Sequence, residues 1–251
     1  MHSIPHIKKR YLWSIAAVCL FVGYNMTWQP HEVLHSPISV LSLLFLAFPA
    51  YIGLKAMFGF KKASLLWMSI GIFGICIETI GIYTGFPYGT FLYTNPLGGL
   101  LFGYAPWALI LAWPPLVIGA WVMSHTSSST TIQHIIIGTA LLVCFDLVMD
   151  PGAVALGFWS FIHGGYYYHV PYTNFLGWVF SGAISISLIE LYKRYTNTQP
   201  ALSRISSNYA SLGLYFSTAL WTGVAAGHRQ IVPLCIGIIL FIWIYRTQYR
   251  Y

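Results

Sequence analysis

Three carboxylic acids, Glu78, Asp146 and Asp150, stand inside stretches that otherwise read as apolar helix. An acidic side chain at the centre of a bilayer costs about 3 kcal/mol on insertion scales, and more when it is charged and unpaired. A chain that keeps three therefore has a use for them: a proton relay, an ion path or acid–base chemistry. Asp146 and Asp150 are four residues apart, which on a helix puts them on one face about a turn apart. In such a group, burial disfavours the charged form of one carboxyl and leaves it able to give a proton. A second, ionised carboxylate stabilises a cation or takes a proton from water. Each acid also has a plainer reading. Asp150 precedes Pro151, a good start for a short helix. Asp146 would serve equally as a hydrogen-bond partner between helices, and Glu78 as an acceptor for a backbone group or a tyrosine hydroxyl.

The elements that must position these acids follow from composition. Of 251 residues, 57% are hydrophobic, 18% aromatic and only 7% charged. That is the composition of a polytopic integral membrane protein, not of a soluble enzyme. Runs of about 20 apolar residues, each long enough to cross roughly 30 Å of hydrocarbon, recur along the chain. The expected fold is all-α, a membrane helix bundle forming one integral membrane domain over residues 1–251. About eight transmembrane helices are expected, at 11–28, 37–58, 64–85, 104–124, 132–150, 174–192, 208–226 and 230–246.

The net charge of +7 would suit a nucleic-acid partner, but its distribution says otherwise. With the N-terminus in the cytoplasm, Lys8, Lys9, Arg10, Lys55, Lys61, Lys62, Lys193, Arg194, Arg204, Arg246 and Arg250 all fall on that side, and only Arg229 lies outside. This positive-inside bias predicts a cell-membrane protein with both termini cytoplasmic and no nucleic-acid partner. The first span, behind Lys8-Lys9-Arg10 and without a small-residue cleavage pattern, reads as a retained signal anchor. The four cysteines lie in spans without CxxC or Cys/His spacing, so neither a disulfide nor a metal is expected there. Glu32, between His31 and His35, reads as solvated, its flanking histidines a weak metal signal. Glu190, beside Lys193 and Arg194, reads as an interfacial ion-pair residue.

In this topology spans three and five run from inside to outside, and all three acids converge on the outer leaflet. Two outer loops, 86–103 and 151–173, contain no Lys, Arg, Asp or Glu but are dense in Tyr, Phe, Trp, Gly and Pro. Loops so apolar are expected to fold back on the bundle, re-entrant segments lining a cavity being one form of this. The segments 125–131 and 195–206 read as solvated connections.

IETIGIYTGFPYGTFLYT (77–94), DLVMDPGAVALGFWSF (146–161) and YYYHVPYTNFLGW (166–178) together resemble the carotenoid-biosynthesis membrane family. Their shared marks are a Glu followed by Thr-Gly and an aromatic-Pro-aromatic-Gly turn, then Asp-x-x-x-Asp-Pro, then a Val-Pro, Asn and Gly-Trp run. The chain differs in Tyr88 where a second Phe is usual and in His169 before Val-Pro. The resemblance covers residues 70–180. It implies carotenoid 1,2-hydratase chemistry of the γ-carotene 1′-hydroxylase and bisanhydrobacterioruberin hydratase types, the addition of water to the open ψ end of a carotenoid.

Such a hydratase needs a proton for C2, a tertiary cation at C1 and a water beside it, which gives Glu78, Asp146 and Asp150 catalytic roles. Aromatic faces stabilise a desolvated cation by about 1 to 2 kcal/mol without trapping it. Tyr83, Phe86, Tyr88, Tyr93, Trp107, Trp159, Tyr166, Tyr167 and Trp178 are candidates, although Tyr and Trp also belong at membrane interfaces. His163 and Asn174 are candidates for orienting water. With no Gly-rich phosphate loop, haem motif or His-rich iron site, the expected reaction uses no cofactor and no metal. Its partners are a lipid-dissolved carotenoid, water, membrane lipid and, in a pathway, other carotenoid enzymes. Two other classes stay open: a proton-coupled transporter, which also displays intramembrane acids, and a noncatalytic carotenoid-binding protein.

Overall fold

A computed structural model describes residues 8–28, 37–94, 98–126 and 130–249. The His31, Glu32, His35 group and Arg250 lie outside the described residues. The described chain is helical apart from one short ribbon: α1 Lys9–Met26, α2 Pro37–Phe58, α3 Phe60–Thr84, β1 Phe91–Tyr93, α4 Leu109–Ser124, α5 Thr131–Leu156, β2 Trp159–Phe161, α6 Tyr172–Tyr195, α7 Arg204–Gly227 and α8 Ile231–Tyr249. A helix stands at each of the eight expected spans. Five of them, α2, α3, α5, α6 and α8, are long and apolar enough to cross a membrane.

The other three differ for physical reasons. α1 begins on the charged pair Lys9-Arg10, and α4, at 16 residues, is about 24 Å long at 1.5 Å per residue. α7 is the central helix, packed by α1, α2, α4, α5 and α8 and buried nearly all round. A helix enclosed by protein does not need a lipid-compatible surface, so its Ser, Thr, Gly and Ala content is tolerated and useful. A Cβ on Gly23 of α1 would strike the Leu220 carbonyl, and one on Gly223 of α7 would strike that of Leu20. The two backbones therefore touch at both glycines.

A proline inside a helix leaves the carbonyl four residues earlier without its usual donor, and at Pro114 and Pro151 an aromatic side chain from elsewhere supplies one. Pro114 has no N–H for the Ile110 carbonyl, which accepts from Trp67 Nε1 at 3.0 Å. Pro151 likewise strands the Leu147 carbonyl, which accepts from the Tyr167 hydroxyl at 2.9 Å. Gln230 Nε2 then holds the Pro151 carbonyl itself at 2.8 Å. So supported, α5 runs through the Asp150-Pro151 step to Leu156, six residues past the expected end at 150, and Asp150 does not cap a new helix. Tyr167→Phe removes the donor to Leu147, and the buried carbonyl should cost about 1–3 kcal/mol. The expected readout is a lowered unfolding midpoint in detergent with the helical content retained.

The two apolar loops fold back on the bundle by pairing with each other as an antiparallel ribbon, with Phe91 opposite Phe161, Leu92 opposite Ser160 and Tyr93 opposite Trp159. Thr94 N–H to Phe158 O and Ile162 N–H to Thr90 O extend the ladder at either end. Backbone groups that helical re-entrant segments would have paired internally are satisfied here across two loops. The alternation of a strand turns Phe91, Tyr93, Trp159 and Phe161 toward the bundle, while Leu92 is exposed.

Candidate active site

α5 presents Asp146 and Asp150 on the face that meets α6, because residues four apart share a helix face. Both are buried, and α6 answers them with Asn174, itself buried in its first turn. Asn174 Nδ2 donates to Asp146 Oδ2 at 3.0 Å and also to Asp150 Oδ2. One amide thus ties the two carboxyls together. Asp146 Oδ1 is buried and receives no hydrogen bond from any described residue.

Glu78 arrives from α3, half-buried, and accepts a hydrogen bond from the Tyr93 hydroxyl at 3.3 Å. β1 supplies that tyrosine, and Trp159 of β2 stands edge-on to it at 5.9 Å between ring centres. Glu78, Asp150 and Asn174 open onto one cavity of about 160 Å³ that continues past Leu43 and Leu46 of α2 to Ser217 and Trp221 of α7. Asp146 lies behind Asp150, outside the lining.

The walls of that cavity are aromatic. Tyr88, Tyr93, Trp159 and Trp178, all expected near the site, line it. Tyr88 is wedged between α3 and α6, where a Cβ on Gly81 or Gly177 would collide with its ring. Trp178 stands edge-on to Trp113 at 5.1 Å. Trp113 and Phe145, also in the lining, were not singled out from the sequence; an indole just before the Pro114-Pro115 pair reads as an interfacial anchor until the packing is known.

The remaining expected residues stand elsewhere. Tyr83 is exposed and packs on Tyr104, and Phe86 is exposed and packs on Phe180. Trp107 is exposed, with its indole N–H on the Gly98 carbonyl, although its neighbours Pro106 and Ala108 do reach the cavity. Tyr166 and His163 are exposed in the turn after β2, and Tyr167 is committed to the Leu147 carbonyl. Their places in the sequence put them near the acids but did not say which way each faces.

Acids on one cavity, Asp150 bonded to an amide and Glu78 to a phenol, in a chamber of aromatic rings, can move a proton onto an apolar molecule and shelter the cation that results. The chain is 36% identical over 136 residues to the bisanhydrobacterioruberin hydratase of Haloarcula japonica, a match covering 52% of this chain and 45% of that protein. The chain thus matches about half the length of that curated relative. No solved structure matches it. Residues 35–244 match the family described as carotenoid biosynthesis protein, and the chain belongs to that family.

Proposed function

We propose that this protein is a cofactor-independent carotenoid hydratase, a hydro-lyase that adds water across the terminal C1=C2 double bond of a ψ end group. The observation that carries the reading is the joint placement of Glu78, Asp150 and Asn174 on one aromatic-walled cavity. Glu78, held by the Tyr93 hydroxyl, delivers its proton to C2. The alkene electron pair forms the new C–H bond and leaves a tertiary cation at C1, faced by the rings of Tyr88, Tyr93, Trp159 and Trp178. Asp150, which accepts from Asn174, is the carboxylate that steadies the cation and takes a proton as water closes the C1–O bond. That proton returns to Glu78 before the next turnover, so the sum is alkene plus water to tertiary alcohol. Asp146 and Asn174 act through Asp150 and hold it in place.

The protein is a single integral membrane domain of the cell membrane with both termini cytoplasmic, a reading supported by the basic residues at one end of the bundle. The acids then lie near the outer leaflet. A carotenoid dissolved in the bilayer reaches them by sliding its end group between helices. Expression in a carotenoid-producing host tests the reaction. The expected product gains the mass of one water per modified end, and the new oxygen comes from labelled water, not from labelled oxygen gas. A gain of a single oxygen, or an unchanged pigment, would refute hydration.

A further inference from the structure

At the opposite end of the bundle a second group of side chains converges. His125 follows the last residue of α4, His134 lies in the first turns of α5, and Glu190 is buried near the end of α6. His134 is 12 residues from Asp146, about 18 Å at 1.5 Å per residue, so this group is separate from the acids. Glu190 was expected to be an interfacial ion-pair residue. It does bond Lys193, at 2.9 Å through Oε2, but Arg194 turns to Thr131, and Glu190 Oε1 points inward.

Oε1 lies 3.2 Å from His134 Nδ1 and 3.8 Å from His125 Nε2, and the three atoms all fall within 4.8 Å of one another. Tetrahedral zinc with bonds of about 2.0–2.1 Å holds its ligand atoms about 3.4 Å apart. The separations straddle that value. The surroundings are those of a ligand set. His125 Nδ1 lies 2.9 Å from the Trp121 carbonyl; as the donor there it leaves the Nε2 lone pair directed at the group, the usual orientation of a ligating histidine. Trp121 Nε1 donates to Glu190 Oε1 at 2.7 Å and Lys193 holds the other oxygen, so the carboxylate is oriented from both sides. Lys193 also sits over the Trp121 ring, 5.4 Å from its centre. Glu190 borders a polar cavity of about 360 Å³, lined also by Lys193 and Arg194.

We propose that His125, His134 and Glu190 form a binding site for a divalent transition metal of the zinc class, tying together the ends of α4, α5 and α6. Two imidazoles and a carboxylate are a borderline-soft donor set, suited to Zn²⁺ and not to Mg²⁺ or Ca²⁺. This site does not depend on the hydratase reading, and its test reads metal, not product.

The intact protein, purified in detergent and stripped with a chelator, is titrated with Zn²⁺ by calorimetry. The expected result is one saturable Zn²⁺ per chain and a raised unfolding midpoint, since the ion binds only the folded arrangement. His125→Ala and His134→Ala should each weaken binding roughly tenfold or more. Lys193→Met, which leaves all three ligands but removes one of the two groups that orient the carboxylate, should weaken binding less than either histidine variant. Absence of saturable binding to the unaltered protein overturns the proposal without recourse to any variant. So does binding that survives in the His125→Ala/His134→Ala double variant, which would place the ion elsewhere.

Discussion

Asp150→Asn should lower carotenoid hydration by about 10²–10⁴-fold while the protein still folds and binds pigment, the range expected when a positioned proton-transfer group is removed. The substitution keeps the shape of the side chain but replaces an acceptor oxygen with an N–H₂ group facing the Asn174 amide, which donates to the native carboxyl. In the proposed reaction the cation at C1 would lose its counter-charge and the attacking water its base in the same change. Asp146→Asn should be severe as well, because Asp146 shares the Asn174 amide with Asp150. The two act as a unit, so the double variant should be little worse than the poorer single one. Pigment extracted from membranes gives conversion, and absorbance of the purified protein gives binding. Full conversion by Asp150→Asn would end the acid–base account. Loss of pigment binding together with conversion would favour a purely structural role.

Glu78→Gln should be comparably damaging, for a different reason: in the proposed reaction the amide would have no acidic proton to give to C2. Tyr93→Phe separates donor from support. It removes the hydroxyl that holds Glu78 Oε2 at 3.3 Å but leaves the carboxyl in place, so the expected loss is about 1 kcal/mol, or five- to tenfold. The informative quantity is the ratio of the two losses in a conversion assay with detergent-solubilised carotenoid. Equal losses would mean that Glu78 matters only through its bond to Tyr93. A near-native Glu78→Gln would move the proton donor to the Asp146–Asp150 pair.

Much of the scaffold was legible in the sequence. Run length and charge distribution are local properties, and eight apolar runs became eight helices whose ends mostly moved by a few residues. The exception is instructive. α5 continues past Pro151 because Tyr167, from a loop, serves the Leu147 carbonyl that the proline leaves unpaired. A boundary rule that reads only neighbouring residues has no access to a donor 20 positions away.

The same limit governs the site. The three acids announced themselves, since an acid in an apolar run is costly wherever the chain then goes, and the four-residue spacing of Asp146 and Asp150 guaranteed a shared face. Asn174 was one of two polar candidates, with His163, and only the packing of α6 on α5 made it the bridge between both aspartates. Nor did the sequence say that β1 would pair with β2, which turns Tyr93 and Trp159 toward Glu78 and leaves Tyr166 and His163 outside. His125, His134 and Glu190 are scattered without ligand spacing, and they meet because three helix ends do. By itself the sequence determined a membrane helix bundle carrying acids that need a purpose. Which groups face those acids was decided by tertiary structure, because burial cost and helix period act along the chain whereas hydrogen bonds and cavity walls form between segments distant in it.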